Sequence, residues 1–118
     1  MSKIADDVYC SLKRLFPRYT IVKEVYVNYE FTRLFFDFFI KEFGIYVEVQ
    51  GAQHVLFNKH FHGTKENYWA QKKRDNLKVE YIQKNKELSL VRFYYNERLT
   101  DDLIMLKIER ALDRGFYE

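Results

Sequence analysis

Apolar residues change their period several times along the chain, and each change marks an element. Between Ser2 and Phe16, Ile4, Val8, Leu12 and Leu15 recur at helical spacing, with Ser2 placed to cap the start and Pro17 to end the run. This predicts a helix with one buried face, and Cys10 within it reads as a small core residue. From Thr20 to Asn28, Ile21, Val25 and Val27 alternate with Glu24 and Tyr26, which predicts a strand. Leu34 to Ile40 is a nearly continuous run of aromatic and aliphatic residues broken only by Asp37, the pattern of a central strand covered on both faces. A tight connection at Lys41-Glu42-Phe43-Gly44 leads to a third strand, Ile45 to Gln50, which stops at Gly51. These three strands are expected to form a meander.

Residues 51 to 65 carry glycines, histidines and lysines without periodicity, as expected of a functional or mobile loop. Glu66 to Asn85 then reads as a helix with Ala70, Leu77 and Tyr81 on one face. Lys72, Lys73, Lys78 and Lys84 make most of the rest basic, while Arg74 falls on the apolar stripe. Leu88 to Tyr94 is a fourth strand. Thr100-Asp101-Asp102 caps a last helix bearing Ile104, Ile108, Ala111 and Leu112, which ends at Arg114-Gly115. The order αβββαβα predicts an α/β fold of the α+β kind: one domain over residues 1–118, with a mixed four-stranded sheet flanked by helices.

Composition narrows the function classes. Aromatic residues make up 19% of the chain, enough to fill one core without disulfides or a structural metal. The single cysteine excludes an intramolecular disulfide, and nothing approaches the roughly 18 apolar residues of a membrane span. The start lacks the apolar stretch of a signal peptide, so a cytoplasmic protein away from membranes is expected. A net charge of +3 permits nucleic-acid binding without requiring it.

The chemistry concentrates in the carboxylates. Asp37 lies between Phe36 and Phe38, and burying an ionised carboxylate there costs several kcal/mol unless a cation or hydrogen bonds compensate. Taken alone, a buried Asp serves equally as a structural ion-pair member or as a backbone hydrogen-bond acceptor. Glu48 sits in the next strand, and a period of two puts it on one face with Tyr46 and Gln50. If the two strands are antiparallel neighbours about 4.8 Å apart, Asp37 and Glu48 converge on one spot. That pair of acids suits a hard divalent cation such as Mg²⁺ or Mn²⁺, which would activate water and stabilise charge on a phosphate.

A lone Asp on one strand and Glu-x-polar on the next, within αβββαβα, resembles the PD-(D/E)xK nuclease superfamily. The runs Leu34-Phe35-Phe36-Asp37-Phe38-Phe39-Ile40 and Val47-Glu48-Val49-Gln50-Gly51-Ala52-Gln53-His54 are similar to the core of phage endonucleases related to very-short-patch repair endonuclease. Lys73-Arg74-Asp75-Asn76-Leu77-Lys78 and Leu90-Val91-Arg92-Phe93-Tyr94-Tyr95-Asn96-Glu97 resemble that group's later helix and last core strand. The resemblance implies a metal-dependent DNA endonuclease of homing or nicking type, encoded by a phage or mobile element. A structure-specific nuclease or Holliday junction resolvase on the same core, and a catalytically degenerate DNA-binding protein, are its alternatives.

In that reading Asp37 and Glu48 are metal ligands, and Gln50 stands where most of the superfamily has Lys. A neutral amide orients water but supplies no charge. His54 is the candidate general base, and Asp75 either holds His54 or a second ion or pairs within its helix. The superfamily often adds an acid from the first helix; Asp6 and Asp7 are the candidates, Asp7 flanking the buried face and Asp6 pointing away from it. Lys59, Lys65, Lys72, Lys73 and Lys78, interleaved with Phe57, Phe61, Tyr68 and Trp69, would hold DNA, and a homodimer is compatible with the class. Zinc on His54, His60 and His62 fits no standard spacing.

Overall fold

The computed structural model describes residues 2–51, 63–113 and 115–117. Eight elements follow in the order α1 (Lys3–Leu15), β1 (Ile21–Tyr29), β2 (Thr32–Ile40), β3 (Ile45–Gln50), α2 (Lys65–Lys84), β4 (Ser89–Tyr94), α3 (Asp101–Ala111) and β5 (Gly115–Tyr117). The α+β class and the mixed sheet agree with the sequence pattern. The sheet has one strand more than expected, in the order β1-β2-β3-β4-β5. β1, β2 and β3 form the antiparallel meander, and β4 joins β3 in parallel because α2 carries the chain back across the sheet. β5 pairs in parallel with the far edge of β4.

Each helix starts on a side-chain cap. Ser2, Thr64 and Thr100 accept from the backbone N–H groups of Ala5, Asn67 and Leu103 at 3.2, 3.1 and 3.2 Å. α1 and α3 cover one face of the sheet, where Val8, Leu12, Ile104 and Ile108 meet Phe38, Ile40, Ile45, Val47, Val91 and Phe93. A bidentate pair between Arg14 and Asp101, at 2.7 and 2.8 Å, ties the two helices together at the surface. α2 covers the other face, with Ile82 and Tyr81 against Leu34, Phe36, Tyr46 and Leu90. Cys10, expected in the core, is exposed, because the stripe Ala5, Val8, Leu12 leaves it on the outer side of α1. Ala70, expected on the buried stripe of α2, is also exposed.

β1 and β2 do not keep one face along their length. Leu34 and Phe36 pack beneath α2, whereas Phe38 and Ile40, of the same parity, pack beneath α1 and α3. Opposite them, Lys23 lies over the α1 ring of Tyr9 at 4.0 Å, while Val25 and Val27 join the α2 side. The reversal falls at Glu24, whose φ is +55°, between the flanking pairs Lys23↔Phe38 and Val25↔Phe36. A left-handed residue in a strand swivels the ribbon, and Asp37 stands opposite the swivel.

The β1–β2 turn has a cost of its own. Glu30 and Phe31 form a two-residue turn with φ of +50° and +59°, the geometry that asparagine and glycine adopt most readily. Phe31 is fully exposed and returns no packing. Replacing Glu30-Phe31 by Asn-Gly is expected to stabilise the fold by about 1–2 kcal/mol, measured as a higher urea midpoint at unchanged slope.

At the β2–β3 turn, the Glu42 carboxylate accepts from the Thr20 N–H, which holds its pKa below the ordinary glutamate range. A lowered folded pKa contributes stability above the unfolded value of about 4.3 and loses it as pH falls through the folded value. Glu42→Gln should therefore lower the melting temperature slightly at neutral pH, with the gap from the parent protein closing in acid. A gap independent of pH would contradict this.

Candidate functional site

β2 pairs with β3 over only three residues, Phe38↔Val47, Phe39↔Tyr46 and Ile40↔Ile45. Beyond Phe38 the strands part, and the next bond is made by a side chain: Asp37 Oδ2 accepts the Val49 N–H at 2.8 Å. The fork in the sheet thus places the Asp37 carboxylate against the β3 backbone at Val49, the residue after Glu48. Asp37, half-buried, therefore fills the backbone-acceptor role that an Asp in an apolar strand can take by itself.

Glu48, Tyr46 and Gln50 share the α2 face, as the strand period implies. Glu48 is 4% exposed and has two cationic partners. Lys78 Nζ of α2 donates to its Oε1, and Arg92 Nε of β4 donates to its Oε2 at 3.0 Å. Arg92 is the parallel-register neighbour of Glu48, and its Nη2 also donates to the Asp75 carbonyl at 3.2 Å. The Asp75 carboxylate lies 3.9 Å from Lys78 Nζ, one helical turn away. On the opposite face, Lys107 Nζ donates to the Arg92 carbonyl at 2.6 Å and to Glu97 at 2.8 Å, which fixes the end of β4 from behind.

Gln50 is 3% exposed, and its Oε1 is buried with no hydrogen-bond partner among the described residues. A buried amide oxygen left unsatisfied costs about 1–3 kcal/mol, so this atom is open to a water or a ligand. Tyr46 closes the inner end of the cluster. Burial, with the Tyr81 hydroxyl 3.4 Å away, holds its phenol above the ordinary range, so it remains a neutral donor.

The predicted residues divide accordingly. Glu48 and Asp75 share the network with Lys78 and Arg92, while Asp37 meets β3 at Val49 and Gln50 lies two residues beyond Glu48 on the same strand. Lys78 belongs to that network, rather than to the solvated basic face that helical spacing suggested, since it is 7% exposed. Lys65 and Lys73 are exposed and Lys72 is half-buried, with its ammonium 5.6 Å from the Tyr68 ring centre. Trp69 is exposed beside them. Asp6 and Asp7 lie on α1, across the sheet from Glu48; both are exposed, and Asp7 pairs with Lys3 at 3.6 Å, so neither joins the cluster. His54, Lys59, Phe57, Phe61, His60 and His62 lie outside the described residues.

Arg92 was missed in the sequence although its signal matches that of Asp37: one charge in an otherwise apolar strand. Among the described residues, two carboxylates (Glu48, Asp75) are paired with two cations (Lys78, Arg92). No group of three or more His, Cys, Asp or Glu side chains among the described residues is arranged to hold a metal ion. The side chains of Asp37, Glu48 and Gln50 offer two carboxylates and an amide oxygen, hard oxygens of the kind Mg²⁺ or Mn²⁺ takes, and such ions need only one or two carboxylates and complete their shells with water. Ligation through Glu48 requires one of its oxygens to leave Lys78 or Arg92. Comparison with protein-family models, curated proteins and solved structures found no match.

Proposed function

We propose that the chain is a metal-dependent endonuclease that hydrolyses DNA phosphodiester bonds at the β2–β3 fork. The observation that supports this reading is the Asp37 carboxylate bonded to the Val49 N–H, between Glu48 and Gln50 along β3, with Gln50 Oε1 buried and without a partner among the described residues. Mg²⁺ or Mn²⁺, held by Asp37 and Glu48, would supply a Lewis acid that lowers the pKa of bound water and neutralises charge on the phosphate.

The chain's own residues do the rest. Gln50 Oε1 accepts a hydrogen bond from the attacking water and so aims it at phosphorus. Lys78, already inside the cluster, provides a positive charge that the amide at Gln50 does not, and this charge offsets the negative charge building on the phosphoryl oxygens. Arg92 keeps Glu48 in place from the neighbouring strand. His54 remains the proposed proton acceptor. Lys65, Lys72 and Lys73 line one side of α2 as phosphate contacts, and a homodimer would extend that surface.

A second reading has an observation in its favour. Both oxygens of Glu48 are occupied by cations, as in a structural ion-pair network, which fits a catalytically degenerate DNA-binding protein. Purified protein incubated with supercoiled, linear, mismatched and four-way-junction DNA in Mg²⁺, Mn²⁺ or EDTA separates the two. Metal-dependent cleavage supports the endonuclease, and substrate preference distinguishes nickase from junction resolvase. Binding without cleavage supports the degenerate form.

A further inference from the structure

Next to the cluster, a cavity of about 200 Å³ is lined by Arg33 and Phe35 of β2 and by Gln71, Arg74, Asp75 and Lys78 of α2. It lies where β2, before Asp37, has no pairing with β3. Gln71, Arg74, Asp75 and Lys78 fall at spacings of three, one and three, so one face of α2 turns toward it. Asp75 and Lys78 approach each other and Lys78 is also engaged by Glu48, so those two charges are accounted for within the cluster.

Arg33 and Arg74 are not. Neither makes an ion pair among the described residues, and both are exposed at the cavity wall. The Arg33 guanidinium is held over the Tyr26 ring, 4.0 Å from its centre, which fixes its position without satisfying its hydrogen-bond donors. Two guanidiniums converging on one small cavity repel each other unless an anion lies between them, and their planar forks match the oxygens of a phosphate.

We propose that this cavity is a phosphate-binding subsite, in which Arg33 and Arg74 clamp a tetrahedral phosphate oxyanion. Its natural source is a nucleic-acid strand crossing the fork. The phosphate class follows from the cavity itself; the nucleic-acid source rests on the endonuclease reading. Because Lys78 reaches both the cavity and Glu48, the bound phosphate neighbours the one at the carboxylates, and it sets the register of the strand.

The test is made without divalent metal, so it does not depend on cleavage. Fluorescence anisotropy of a labelled DNA duplex is measured against salt for the parent protein, Arg33→Ala, Arg74→Ala and Arg74→Lys, each checked for an unchanged melting temperature in buffer lacking phosphate. Each alanine variant should bind about tenfold more weakly and reduce the slope of log K against log salt by about one contact, while Arg74→Lys recovers part of the affinity. In parallel, inorganic phosphate should raise the melting temperature of the parent protein but not of the Arg33→Ala/Arg74→Ala double variant. A phosphate effect with unchanged DNA affinity identifies free phosphate as the ligand and overturns the nucleic-acid source. No difference in either arm overturns the subsite. A parent protein that never cleaves DNA defeats the endonuclease reading alone, and normal DNA affinity and phosphate response in the double variant defeat the subsite alone.

Discussion

Replacing Glu48 by Ala is expected to destabilise the fold by about 3–5 kcal/mol, because it leaves Lys78 and Arg92 buried together without their counter-charge. Glu48→Gln should cost less, since the amide oxygen still accepts one hydrogen bond. Replacing the network as a whole, as Glu48→Leu/Asp75→Asn/Lys78→Met/Arg92→Met, should cost little or even stabilise, since desolvating the ions consumes most of what their attraction returns. Urea unfolding of the three variants checks this order. A Glu48→Ala cost below about 1 kcal/mol would contradict a buried network at this position. The same result bears on function: loss of activity in Glu48→Ala could reflect unfolding, so Glu48 is a poor probe of chemistry.

Gln50→Leu is expected to do the opposite, raising stability by about 1–3 kcal/mol while abolishing cleavage. Leucine fills nearly the same space and removes an amide oxygen that the fold buries without a partner. On the proposed reading, the amide is kept for binding at a cost in stability. If Gln50→Leu instead destabilised the fold, the amide would be serving the structure. The measurement is a pair, the urea midpoint and the initial rate of plasmid nicking, made on the same preparation.

These particular residues also show what the sequence made legible. The period of two in Ile45–Gln50 put Tyr46, Glu48 and Gln50 on one face, and a lone Asp among aromatic residues was enough to mark Asp37. Helical spacing located α1, and the cap at Thr100 located α3. Other features have no local signature. The face reversal at Glu24 needs a left-handed glutamate, which propensity disfavours and only the tertiary packing of Val25 and Lys23 on opposite sides reveals. β5 is three residues long and is held by pairing with β4. Lys78 was misplaced because a lysine on a basic helix reads as solvated. Its long chain instead runs inward, with the ammonium 5.5 Å from the Phe36 ring centre and bound to Glu48. Arg33 and Arg74, far apart in sequence, line one cavity where β2 has left β3.

The fork itself depends on Asp37, which ends the β2–β3 ladder by taking the Val49 N–H. Asp37→Asn keeps an acceptor for that bond and removes only the charge, so it separates chemistry from folding better than any substitution at Glu48. The decisive measurement is the initial rate of Mg²⁺-dependent conversion of supercoiled to nicked or linear DNA by the parent protein and by Asp37→Asn, purified side by side and matched in melting temperature. Cleavage by the parent protein, reduced by a factor on the order of 10³ in Asp37→Asn and absent in EDTA, is the expected result. Equal rates in the two proteins, or no cleavage by the parent protein on any DNA substrate, would contradict a catalytic site at the fork.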